Sequence, residues 1–128
     1  MHAEQLVSQL RQASPLISVG ILSADLMCLG SQLKLMEGAG VKLLHVDVMD
    51  GRFCPMMTVG PAFIKAMRTS LLKDVHLMVE EPLDKVESFA AAGADMITVH
   101  VESCRHIHRA LQLIGEMTNA NDSSRGIV

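Results

Sequence analysis

Apolar positions along the chain switch repeatedly between short continuous runs and helical spacing. Residues 16–22, with Ile17 and Val19, form an apolar run that predicts a first strand. From Asp25 the spacing becomes helical, through Leu26, Leu29, Leu33 and Met36, and Gly38 and Gly40 stop that helix. Residues 42–48 (KLLHVDV) predict a second strand, followed by a loop over 49–60 rich in Gly, Pro and Met. Pro61 suits the first turn of a helix running through Phe63 to Arg68. Residues 74–79 (DVHLMV) predict a third strand. Pro82 then opens a helix through Phe89 to Ala92, which Gly93 closes. Residues 96–101 (MITVHV) predict a fourth strand, and Ile107, Leu111 and Ile114 mark one more helix. After a polar turn over 119–126, Ile127 and Val128 read as the start of a fifth strand. Ahead of all this, Leu6, Val7 and Leu10 give the N-terminal segment one apolar helical face.

Alternating strands and helices imply a parallel sheet, doubly wound or closed into a barrel. Strand starts recur about every 20 to 30 residues, the size of one strand–helix unit. An internal echo supports the repeat: AGVKLLHVDVMD (39–50) resembles AGADMITVHVES (92–103). The strands are nearly continuous in apolar residues, as expected when both sheet faces are covered. With 128 residues the chain forms a single domain with a real core. A complete eight-stranded barrel takes about 200 residues or more. The expected forms are therefore half a barrel, a barrel completed by two copies, or a small open sheet.

Composition narrows the function classes. A net charge of −3 offers no basic footprint for nucleic acid and no polybasic membrane patch. Trp and Tyr are absent, which removes the usual stacking platforms for single strands. No apolar run approaches the length of a membrane span, and the N-terminal segment does not read as a signal peptide. Cys28, Cys54 and Cys104 are widely spaced and form no CxxC pair, so neither a disulfide framework nor a zinc ribbon is expected. A reducing, cytoplasmic setting follows. Cys54 has no visible activating partner and reads as a small hydrophobe.

The informative residues are polar ones inside strands. His45 and Asp47 are two apart, so they share one sheet face, while Val46 and Val48 take the other. His76 and Met78 share a face on the next strand, and His100 takes the echo position of Asp47 on the fourth. An inward His and Asp must be paired, hydrated or metal-bound, because an unpaired buried charge is costly. A structural ion pair and a metal site both satisfy this. His76 on the neighbouring strand tips the choice toward a metal or catalytic site, with His100 in a supporting place. Two imidazoles and a carboxylate suit one divalent cation: zinc, iron, manganese or cobalt. Met49, Met56, Met57 and Met78 are candidate pocket-lining residues, although Met is usually adaptable filler.

At these residues the sequence resembles the ribulose-phosphate 3-epimerase family. The matching stretches are GILSADL (20–26), LLHVDVMDGRFCPMMTVGP (43–61), KDVHLMVEEP (73–82) and AGADMITVHVES (92–103). The resemblance implies a (β/α)₈ TIM barrel, of which 1–128 would be the N-terminal half, with β1–β4 and a β5 stub. It implies interconversion of D-ribulose 5-phosphate and D-xylulose 5-phosphate by proton transfer through an enediolate. It also implies a metal held by His45, Asp47 and His76, with Asp47 one of two acid/base residues. His76, Met49, Met78 and Gly20 would contact a phosphorylated ketose. The family's second Asp and its glycine-rich phosphate loops would lie beyond Val128, so the isolated chain is expected to have little epimerase activity.

Three positions depart from the family pattern. Gly20 stands where a Ser is usual, Arg52 where a His is usual, and Met56 where an Asn is usual. SVGIL together with RFCP is similar to a divergent epimerase-like branch. A homo-oligomer is expected. The alternative is a non-catalytic half-barrel that binds metal or self-assembles. Decarboxylase chemistry on a related barrel ranks lower, because no Lys shares the face of His45 and Asp47.

Overall fold

The computed structural model describes residues 2–128. Helix α1 (His2–Gln12) precedes strand β1 (Ser18–Gly20), and helix α2 (Leu29–Gly38) leads to β2 (Leu43–Met49). Helix α3 (Pro61–Ala66) leads to β3 (Leu72–Met78), and α4 (Val86–Ala91) to β4 (Met96–Val99). Helix α5 (Ile107–Glu116) follows. The four strands pair in parallel in the order β1-β2-β3-β4. A doubly wound sheet reverses its direction of growth at a switch point, and this one does not. It grows one way throughout, as the wall of a barrel does. The arrangement is that of a partial (β/α)₈ barrel.

Burial follows from that winding. Leu44, Val46 and Val48 of β2 and Val75 and Leu77 of β3 are buried with Ile64, Val86, Phe89, Leu113 and Ile114 from the helices. The opposite face holds His45, Asp47, Met49, His76 and Met78, all only half-buried. Apolar sequence on β2 and β3 suggests cover on both faces; in the structure only the helix side is fully covered. The polar residues on the other side are what make that tolerable.

Several element boundaries differ from expectation. Strand β1 is only three residues long, because Ile21–Ser23 turns into a 3-10 helix. The helix expected from Asp25 begins as a separate 3-10 turn, Leu26–Cys28, where the Asp25 carboxylate accepts a hydrogen bond from Met27 N at 3.0 Å. Pro82 likewise opens a 3-10 turn, Pro82–Asp84, ahead of α4. Strand β4 stops at Val99, and Val101–Ser103 forms another 3-10 turn. Val128, expected in a fifth strand, pairs with the start of β4. Ile97 N donates to Val128 O at 2.8 Å and Val128 N donates to Asp95 O at 3.2 Å, the slanted pattern of a parallel pair. Gly93 closes α4 with φ +99, in the left-handed region, and an added Cβ would sit 2.2 Å from Asn121 Nδ2.

A polar cluster lies at the opposite end of the sheet from the histidines. Asp95, just before β4, is 3% exposed. Its carboxylate accepts from Lys73 N at 2.8 Å and Asn119 Nδ2 at 2.7 Å, and lies 3.0 Å from the Arg125 guanidinium. Lys73 points toward the helices and donates through Nζ to Ile64 O at 3.1 Å. It therefore lies on the face opposite to His45 and Asp47. Cys28, Cys54 and Cys104 are free. Among the described residues no helix is long and apolar enough to cross a membrane.

Candidate metal centre

Strand parity and register assemble the site. Asp47 pairs in register with His76, His45 with Asp74, Met49 with Met78 and Gly20 with His45. In-register partners on parallel strands project to the same face. That face therefore carries, from the N-terminal toward the C-terminal end, His45 and Asp74, then Asp47 and His76, then Met49 and Met78. His100 follows directly after β4 and reaches back to His76. These are the strand ends where parallel α/β sheets hold their ligands.

The loop after β2 fixes the position of Asp47. Thr58 Oγ1 donates to Asp47 O at 2.7 Å and accepts from Met49 N at 2.9 Å, closing a short antiparallel bridge between Asp50 and Met57. Asp50 accepts from Arg52 N and Phe53 N with one oxygen, and from Glu80 N with the other. The exits of β2 and β3 are thereby tied together. Burial pushes the Asp50 carboxyl up, but these backbone donors outweigh it and hold the pKa below its ordinary value. Gly51 makes the turn at φ +75. Arg52 pairs with Glu80 at 2.9 Å in the exposed loop. Of the four methionines, Met49 and Met78 are half-buried on the inner face, whereas Met56 and Met57 are 60% and 78% exposed.

Six side chains form one continuous line of contacts. Asp74 Oδ2 lies 2.7 Å from His45 Nδ1, and His45 Nε2 lies 3.0 Å from Asp47 Oδ1. The same Asp47 oxygen lies 2.8 Å from His76 Nδ1. His76 Nε2 lies 2.7 Å from His100 Nε2, and His100 Nδ1 lies 3.1 Å from Glu102 Oε1. Each of these five junctions brings two lone-pair-bearing atoms together and needs a positive centre between them. Three neutral imidazoles carry only three protons. Placed at the outer junctions, between His45 Nδ1 and Asp74, between His76 and His100, and between His100 Nδ1 and Glu102, those three protons are used up. Both junctions left over meet at Asp47 Oδ1. A single divalent cation held by His45, Asp47 and His76 would satisfy the two together.

The spacing agrees with this. One ligand atom from each of His45, Asp47 and His76 can be chosen with all three within 4.8 Å of one another. The residues present therefore fit a divalent ion. His45 shows the same deficit of positive charge without one. Burial of its ring lowers its pKa, but the carboxylates of Asp74 and then Asp47 outweigh this and raise it above its ordinary 6.5.

A folded-state pKa raised above the unfolded value stabilises the fold below the unfolded pKa. That stability is lost as pH rises through the folded pKa. In chelator-treated protein the His45 contribution is therefore full below pH 6.5 and declines above it. Urea midpoints should fall over that upward window in wild type and fall less in His45→Gln.

Asp74, which shares its parity with His76, carries no further sequence signal of its contact with His45. It is 9% exposed and also lies 3.4 Å from Ser18 Oγ. His100, expected in a supporting place, does touch His76. Gly20 leaves open space beside His45, with nothing within 4 Å of an added Cβ.

Residues 16–121 match the model of the ribulose-phosphate 3 epimerase family. The chain belongs to that family. It is 49% identical over 102 residues to the ribulose-phosphate 3-epimerase of Bacillus subtilis, covering 78% of this chain and 47% of that protein. It is 50% identical over 105 residues to the Synechocystis enzyme of the same name, covering 79% and 46%. The chloroplastic ribulose-5-phosphate-3-epimerase of Arabidopsis thaliana is 45% identical over 118 residues, covering 89% and 42%. The chain thus spans about half the length of the curated relatives it matches.

Proposed function

We propose that residues 1–128 form one domain, the N-terminal half of a barrel that epimerises a pentulose phosphate of the D-ribulose 5-phosphate type. The observation that carries this is the His45–Asp47–His76 cluster at the C-terminal ends of adjacent parallel strands, in a chain of this family. Epimerisation beside a carbonyl needs a proton taken from one face of the carbon and returned to the other. Asp47 is the acid/base for one face. Its Oδ1 receives both imidazole contacts, which leaves Oδ2 without a partner among the described residues and able to take the proton. His45, Asp47 and His76 hold a divalent cation, which when bound supplies electrostatic stabilisation for negative charge developing on the sugar oxygens. Met49 and Met78 line the same face past the cluster and exclude water from the reacting carbon. Gly20 leaves room for the sugar beside His45.

Zinc, iron, manganese and cobalt all suit this donor set. The substrate is a small phosphorylated ketose. The half-buried inner face favours a homo-oligomer, and the free cysteines suit a reducing compartment such as the cytoplasm. The test is hydrogen exchange at C3 of D-ribulose 5-phosphate in deuterated water, followed by proton NMR. Slow cation-dependent exchange above background, with little net epimerisation, is expected in wild type and none in Asp47→Asn. No exchange in wild type would overturn the catalytic proposal and leave the non-catalytic metal-binding half-barrel in its place.

A further inference from the structure

We propose that Glu102, acting through His100, is a positioning residue that fixes which nitrogen of His76 faces Asp47. The inference rests on the metal centre proposed above and assigns work to two residues outside it. His100 is held at the end of β4 by the turn that follows. Ser103 N and Ser103 Oγ both donate to His100 O, at 3.1 and 2.8 Å. Phe53, from the loop after β2, lies against the His100 ring with centroids 5.0 Å apart.

The His76 and His100 rings are nearly parallel, 24° apart, with centroids at 4.9 Å and Nε2 atoms at 2.7 Å. Rings stacked face to face cannot bring two nitrogens that close. They meet tip to tip, in the geometry of an in-plane N–H···N hydrogen bond. One of the two Nε2 atoms must therefore carry a proton and the other must not.

Glu102 decides which. Its carboxylate only accepts, so the His100 nitrogen facing it, Nδ1, carries the proton. A neutral imidazole has one N–H, so His100 Nε2 accepts. His76 Nε2 must then donate, and His76 Nδ1 presents its lone pair toward Asp47. At the other end, Asp74 takes the His45 Nδ1–H in the same way and leaves His45 Nε2 for the cluster. The two imidazoles thus bind through opposite nitrogens, His45 through Nε2 and His76 through Nδ1. Imidazole ligands are commonly oriented by an acceptor on the second ring nitrogen. Here one of those acceptors is another histidine.

The experiment uses the full chain, labelled with nitrogen-15, with zinc as the probe. Long-range proton–nitrogen spectra of the zinc-loaded protein should show His76 protonated at Nε2 and His45 protonated at Nδ1. His100→Phe removes the acceptor and should weaken zinc binding by about 10- to 100-fold. His100→Gln restores an acceptor oxygen and should recover most of that loss. Glu102 is largely exposed, so Glu102→Ala leaves the fold intact even if His100→Phe does not. It should weaken zinc binding and turn His76 into a mixture of tautomers.

His76 protonated at Nδ1 in wild type would overturn the proposal. So would zinc affinity and His76 tautomer unchanged in both His100→Phe and Glu102→Ala. Failure of the underlying reading looks different: wild type would bind no zinc, or His76→Ala would bind it as well as wild type. Either of those results overturns both.

Discussion

Asp47→Asn is expected to weaken binding of zinc or cobalt by more than about 100-fold in a direct titration. Asp47 is the one anionic member of the three-residue cluster, and a single oxygen serves both imidazoles, at 3.0 and 2.8 Å. The substitution keeps the size of the side chain but removes the charge. It also introduces an amide N–H₂ that can donate to His45 Nε2 or His76 Nδ1 and occupy the lone pair the ion requires. The fold should survive, because Asp47 faces away from the helix-covered core and its side chain is 31% exposed. Circular dichroism separates the two effects: native spectrum retained, metal affinity lost. An affinity within threefold of wild type, on the order of 0.6 kcal/mol, would remove Asp47 from the ligand set.

Asp95→Ala is expected to cost about 3–5 kcal/mol of stability, measured by urea denaturation. This is a large share of the total for a domain of this size. Asp95 is 3% exposed and meets three partners, the backbone N–H of Lys73, the Asn119 amide and the Arg125 guanidinium. Burial raises its pKa, and the Lys73 N–H and then the Arg125 charge oppose that rise. Lys73 shows the converse: burial lowers its pKa and Asp95 opposes the fall. Truncation leaves the Lys73 N–H and the Asn119 amide without their acceptor and the Arg125 guanidinium with Asp122 alone. The cluster lies at the end of the sheet away from the histidines, so zinc binding at the folded, low-urea limit should be unchanged. A loss below 1 kcal/mol would mean that water replaces the carboxylate at little cost.

The pattern of the sequence reached the parts of the fold where period and burial coincide. Strands β2 and β3 lie within two residues of their expected bounds, because a long apolar run with alternating polar positions has one consistent register. That same alternation placed His45, Asp47 and His76 on one face. Strand ends were harder. The run 96–101 stays apolar through Val101, yet the backbone leaves the sheet after Val99, because the turn closing on His100 O competes with further pairing. Position alone therefore put His100 inside a strand, when it lies just beyond one.

Asp74 illustrates a different gap. It shares parity with His76, but an acidic residue near a strand start usually reads as a boundary. Only the register of β3 against β2 puts it opposite His45. The pairing of Asp95 with Lys73, Asn119 and Arg125 has no local signal, because its members come from three separate segments. The cover of the sheet was also not legible. Apolar content alone does not say that helices α2 to α5 lie on one side; the unreversed strand order does.

The most direct measurement is the stoichiometry of cobalt or zinc bound by the purified wild-type chain, beside His45→Ala and His76→Ala. One ion per chain in wild type, with loss of binding in both variants, is the expected result. Metal content unchanged in both variants, or absent from wild type, would contradict a divalent-cation centre at His45, Asp47 and His76.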